Sequence, residues 1–116
     1  MATGPQILHG GAQRQDLRWR TAAKSPLAGL SWYQVAPGDV CSSHVHTGKA
    51  ETWLIVAGVG EARVGAEAFA VKPGDAIVTP PGTAHALHNT GSSPLVFVKI
   101  VSIANDDPVS TTELER

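Results

Sequence analysis

Charge, cysteine and long apolar runs are all scarce in this 116-residue sequence. Charged residues make up 16% of the chain and hydrophobic ones 42%, against about 25% charged in ordinary globular proteins, which excludes disorder as the general state. Nine Lys and Arg face ten Asp and Glu, a formal charge of −1, so no basic field exists to neutralise a run of phosphates. Nucleic acid and an anionic membrane are thereby disfavoured as partners. The single cysteine, Cys41, excludes an intramolecular disulfide and a zinc site built of thiolates alone, and it fits a reducing compartment. The longest apolar run, Trp53 to Gly60, is far short of the roughly 18 residues of a membrane helix, and Met1 to Gln15 has no apolar signal-peptide core. The expected location is the cytoplasm. At this length the chain forms one domain with one core.

The surplus lies in Gly, Pro and His, with 12, 8 and 5 residues. Breakers such as Pro37-Gly38, Gly58, Gly65, Pro73-Gly74, Pro80-Pro81-Gly82 and Gly91 recur so often that no ordinary helix fits between them. The intervening segments are β-branched and apolar, and they predict strands over Leu30 to Ala36, Val40 to His46, Thr52 to Ala57, Gly60 to Val64, Ala68 to Lys72, Ala76 to Thr79, Ala84 to Asn89 and Leu95 to Ile103. Many short strands with turn chemistry between them predict an all-β sandwich or barrel. Val64-Gly65-Ala66-Glu67 has the chemistry of a tight hairpin turn. Pro37-Gly38-Asp39 and Pro73-Gly74-Asp75, 36 residues apart, predict one turn used twice. The chain divides into a flexible or partner-swapped segment (1–14), one β domain (15–104) and a C-terminal tail (105–116).

Strand alternation over Val40 to His46 sets His44 and His46 on one face, about 7 Å apart at the backbone. Glu51 follows at the head of an apolar run, and His85 follows the Pro80-Pro81-Gly82 turn, with Asn89 farther along the same face. Three imidazoles and one carboxylate are a candidate ligand set that suits Fe, Mn, Ni, Cu or Zn and disfavours Ca or Mg. A His-x-His pair alone is more often polar decoration than a metal site. The full spacing says more. Gly38, His44, His46, Glu51 and Gly58 follow the pattern G-x5-H-x-H-x4-E-x6-G, and Gly74, Pro80, Gly82, His85 and Asn89 follow G-x5-P-x-G-x2-H-x3-N.

These strings resemble the two signatures of the cupin family. Ten specified residues at fixed offsets coincide by chance on the order of 10⁻¹³ per starting point. The resemblance implies a small single-domain cupin of the conserved-barrel (cupin 2) type, that is, a double-stranded β-helix or jelly-roll barrel. It further implies one divalent transition metal near the wider mouth, held by His44, His46, Glu51 and His85, and a homodimer formed by sheet packing through the face bearing Leu54 and Val56. An octahedral ion with four protein ligands keeps two positions for water, dioxygen or a substrate with paired oxygens, and its uncompensated charge favours anionic or enolisable small molecules.

Other residues divide between structural and functional readings. Trp32, Gln34, Trp53, Phe97 and Lys99 are candidate pocket residues, although the Trp rings are read first as filling of the barrel. Lys99 interrupts an apolar strand; it either guards an edge against solvent, the preferred reading, or binds an anionic substrate or moves a proton inside. Cys41, out of phase with His44 and His46, is expected as a buried inert thiol on an outer packing face, His88 as a surface residue, Glu61 and Arg63 as an exposed pair, and Asn89 as a tie to backbone. The function that results is a metal-dependent enzyme on a small oxygen-bearing or anionic molecule, either a dioxygenase or an isomerase or lyase. The alternative is a non-catalytic metal-containing module that binds a sugar or metabolite.

Overall fold

The computed structural model describes residues 6–8, 10–17, 27–44 and 48–103. These contain no helix and form ten strands: β1 (Gln6–Ile7), β2 (Gln13–Asp16), β3 (Leu27–Val35), β4 (Val40–His44), β5 (Lys49–Ala57), β6 (Gly60–Val64), β7 (Glu67–Val71), β8 (Ala76–Thr79), β9 (Ala84–Asn89) and β10 (Leu95–Ile103). One antiparallel sheet has the order β1-β2-β3-β10-β5-β8 and the other the order β4-β9-β6-β7. Strands adjacent in sequence therefore alternate between sheets along much of the chain, as a jelly roll requires.

Alternation with a period of two supplies the core. From the larger sheet come Tyr33 and Val35, Leu95 and Phe97, Trp53 and Ile55, and Ile77; from the smaller come Cys41, Leu87, Ala62 and Val71. Three of these rings stack on one another, with centroids 4.7 Å apart for Tyr33 and Phe97 and 4.6 Å for Trp53 and Phe97. Each such ring removes about 150–250 Å² from water, worth up to roughly 4–6 kcal/mol. The middle of the barrel is packed rather than hollow.

The repeated Pro-Gly-Asp string does form one turn used twice. Asp39 N–H donates to Ala36 O at 2.9 Å and Asp75 N–H to Lys72 O at 3.0 Å, with Gly38 and Gly74 at φ of 84° and 94°. Proline at the second position and a left-handed glycine at the third make this a type II turn. Each turn then docks on a strand: Gly38 N–H donates to Asn89 O, and Gly74 N–H to Ile55 O. Between β6 and β7, Gly65 and Ala66 form the expected tight turn.

Within the first segment, β2 pairs with β3 of the same chain and β1 pairs with β2. Leu8 and Ala12 are buried at the bend between them, and Val40 N–H donates to Gly10 O at 3.1 Å, which covers part of the β4 edge. The alternation of this segment is weak because it forms the edge of the sheet, where little is buried. The expected tail, 105–116, lies outside the described residues.

Asn89 ties three pieces of backbone together. Its Nδ2 donates to Val35 O and Ser93 O, both at 2.8 Å, and its Oδ1 accepts from Gly91 N–H at 2.8 Å. Replacing Asn89 with Ala leaves these groups unpaired in the interior, and urea denaturation is expected to show a loss of about 2–4 kcal/mol. An unchanged midpoint and slope would contradict this assignment.

Candidate metal and ligand site

The inner face of β5 carries Glu51, Trp53 and Ile55 in sequence, all buried. Glu51 lies at the end where β5 begins, directly opposite Thr79 on β8, while Trp53 is opposite Lys99 on β10 and Ile77 on β8. From the other sheet, β9 brings His85 to the same point: its Nε2 lies 3.0 Å from Glu51 Oε1. Trp53 Nε1–H donates to that same oxygen at 3.0 Å, and the indole and imidazole rings approach to 4.4 Å. The pair thus joins the two sheets through side chains that are 1–2% exposed.

Burial by itself raises the pKa of the Glu51 carboxyl. The hydrogen bond from His85, the charge of Lys99, the charge of His85 and the Trp53 bond together outweigh it, and the net direction is down. The group is therefore an ionised acceptor near neutral pH. An ionised carboxylate only accepts, so the Nε2 of His85 carries the proton of this contact.

Lys99 is buried, 7% exposed, with Nζ 5.1 Å from the centroid of the Tyr33 ring. The solvent-facing reading is corrected by this placement: β10 is flanked by β3 and β5, so Lys99 guards no edge, and its phase with Leu95 and Phe97 turns it inward. Trp53 and Phe97 are also interior, where they pack the barrel. Trp32 and Gln34, by contrast, are exposed on the opposite face from Tyr33 and Val35, so they do not join the pocket. The phase of β3 is set by Tyr33 and Val35, whose burial the sequence pattern alone did not distinguish from that of Trp32 and Gln34.

Cys41 is buried as expected, but in the core opposite Leu87 and not on an outer face. In the same ladder Ser43 stands in register with His85, and His44 with Ala84. His46 lies outside the described residues, as does its approach to any site. Among the described residues no three His, Cys, Asp or Glu side chains converge on one point. The donor chemistry of the described pair, one buried carboxylate and one buried imidazole in contact, fits half of a transition-metal site. His88 is exposed, and Glu61 and Arg63 form a surface pair at 3.7 Å.

Two interior polar residues escaped the sequence reading. Ser31, opposite Lys99, donates through Oγ to Asp16 Oδ1 at 2.8 Å. Thr79 is fully buried beside Glu51, and its Oγ1 has no hydrogen-bond partner among the described residues. The alternation of Thr79 with Ile77 was the available signal for the second.

A family model for the cupin domain matches residues 31–101. The chain belongs to the cupin family. A mannose-1-phosphate guanylyltransferase of Escherichia coli is 31% identical to this cupin over 85 residues, 73% of this chain but only 18% of that protein. The chain thus spans less than a fifth of the length of the curated relatives it matches. Among solved structures, a predicted oxalate decarboxylase from Thermotoga maritima superposes with a TM-score of 0.74 at 23% identity, covering 85% of this chain and 91% of the other. A Cupin 2 conserved barrel domain protein from Salinispora arenicola superposes at 0.68 and 24% identity, over 87% and 82% of the two chains. At these identities the likeness is one of fold.

The Glu51 contact makes a prediction for protein treated with a chelator. Replacing Glu51 with Ala strips the buried Trp53 N–H and His85 of their acceptor, and a loss of about 2–4 kcal/mol is expected in urea denaturation. Glu51→Gln keeps one acceptor oxygen and is expected to lose less. Equal midpoints for the two variants would show that the contact contributes nothing.

Proposed function

We propose that this cupin is a metal-dependent enzyme acting on a small oxygen-bearing, anionic molecule. The observation that carries the proposal is the buried convergence of Glu51 and His85 from opposite sheets, within a sequence that retains His44 and His46 at the signature spacing. These four residues would hold one divalent transition metal. Such an ion, when bound, supplies Lewis-acid polarisation of substrate oxygen or, if redox-active, one-electron chemistry with dioxygen.

The chain's own residues have separate tasks. Glu51 offsets part of the ion's charge and is held in place by Trp53, whose indole N–H donates to it. The stacked Tyr33, Phe97 and Trp53 rings close the floor and exclude water from below. Lys99 contributes positive charge to the same interior. The metal's identity divides dioxygenase from isomerase or lyase chemistry. A second reading, a metal-containing module that binds a sugar or metabolite, is favoured by the aromatic filling, which keeps acid-base groups few, and by the sugar phosphate named in the matching relatives.

Protein produced without a histidine tag is expected to contain close to one equivalent of a divalent transition metal by elemental analysis, and His85→Ala or Glu51→Ala to lose it. Wild-type protein that neither contains nor can be loaded with such a metal would sink the proposal. Turnover of a small oxyanion by the loaded protein supports the enzyme; tight binding without turnover across a broad panel supports the module.

The same reading includes a homodimer in the cytoplasm. Support comes from the outer face of the larger sheet, where Trp32, Val98 and Leu54 line up across β3, β10 and β5, and Val56 and Val78 are exposed nearby. Among the described residues no helix is long and apolar enough to cross a membrane. Sedimentation is expected to show a dimer that Leu54→Asp converts to a folded monomer. A wild-type monomer at all concentrations would reject the assembly.

A further inference from the structure

The inner face of the larger sheet places a buried ammonium and a buried hydroxyl on either side of one carboxylate. Lys99 on β10 is opposite Trp53, one inward position along β5 from Glu51, and Thr79 on β8 is directly opposite Glu51. Cross-strand and diagonal neighbours on one face lie within reach of one another's side chains. The two strands flank β5 and the two residues are offset by two positions along it, so Lys99 and Thr79 stand about 12 Å apart at the backbone. The packed Tyr33, Trp53 and Phe97 rings fill the barrel beneath them.

Each group points to a ligand for a different reason. Thr79 is 0% exposed, and its Oγ1 has no hydrogen-bond partner among the described residues; a hydroxyl so placed is costly until something accepts its proton or donates to it. Lys99 is 7% exposed in a largely apolar interior, and an ammonium carries three donors, so its existing interactions are compatible with a ligand oxygen. One cation and one hydroxyl donor on the same inner face recognise negative oxygen better than a neutral group.

The geometry points to Lys99 and Thr79 as the recognition pair for a small organic oxyanion, a carboxylate or a phosphate group, bound beside Glu51. This inference deepens the proposed function and rests on it, because a bound cation is what lets an anion settle next to the Glu51 carboxylate. Lys99 binds the oxyanion as a point charge, and Thr79 donates to a second oxygen and fixes its orientation.

The test uses zinc-loaded full-length protein, with zinc content measured for every variant. Acetate, inorganic phosphate and the neutral acetate isostere acetamide are titrated calorimetrically into wild type, Lys99→Met and Thr79→Val. Wild type is expected to prefer acetate or phosphate over acetamide by about tenfold or more, and which of the two binds tighter identifies the group. Lys99→Met is expected to lose that preference with zinc content unchanged. Thr79→Val is expected to weaken oxyanion binding about three- to tenfold without lowering the melting temperature, since an unpartnered hydroxyl gives way to a methyl. A merely structural threonine would lower it. No preference in wild type, or a preference that survives in both variants, overturns the inference even when zinc is bound in full. If zinc does not bind, the metal reading fails and overturns the inference with it.

Discussion

The inner face of β5 is the constraint on which the rest of the molecule depends. Because side chains alternate strictly along a strand, one choice of phase buries Glu51, Trp53 and Ile55 together. A shift by one residue would bury Leu54 and Val56 instead and expose the carboxylate. The order along that face runs from charged, through amphipathic, to aliphatic, and it gives the barrel one polar end and an apolar middle. Trp53 sits at the transition, with its ring against Phe97 and its N–H on Glu51.

A buried carboxylate is tolerated only where several groups favour its ionised form. Here they come from different parts of the chain: His85 from β9, Lys99 from β10 and Trp53 from β5 itself. The two Pro-Gly-Asp turns help to set these strands against one another, since one docks on Asn89 of β9 and the other on Ile55 of β5. Asn89 then locks the end of β3 and the loop before β10 to β9. Turn chemistry, strand phase and the electrostatics of the site are in this way parts of one arrangement, in which the rigid scaffold holds the polar groups at fixed distances.

Much of this was legible before the fold was known. Gly and Pro spacing located the strands from β3 to β10 to within a few residues, because breakers act locally and need no tertiary context. The weakest places were those where phase had to be inferred from a pattern apolar on both sides. In β3 the sequence Ser31-Trp32-Tyr33-Gln34-Val35 offers an aromatic on each face, and only packing against Phe97 and Trp53 selects Tyr33 as the inward one. In β4, pairing with β9 places Cys41 against Leu87 in the core, where counting from the histidines had put it outside. Lys99 looked like an edge guard until β10 proved to lie between β3 and β5.

By itself the sequence determined the all-β class, the turns, the family and the residues offered as ligands, since each follows from local backbone chemistry or from spacing along the chain. Only the tertiary structure decided which faces are interior, that Glu51 and His85 meet across two sheets, and that Lys99 and Thr79 stand beside them. Those contacts join residues as many as 48 positions apart, and no local preference specifies a pairing between strands that distant.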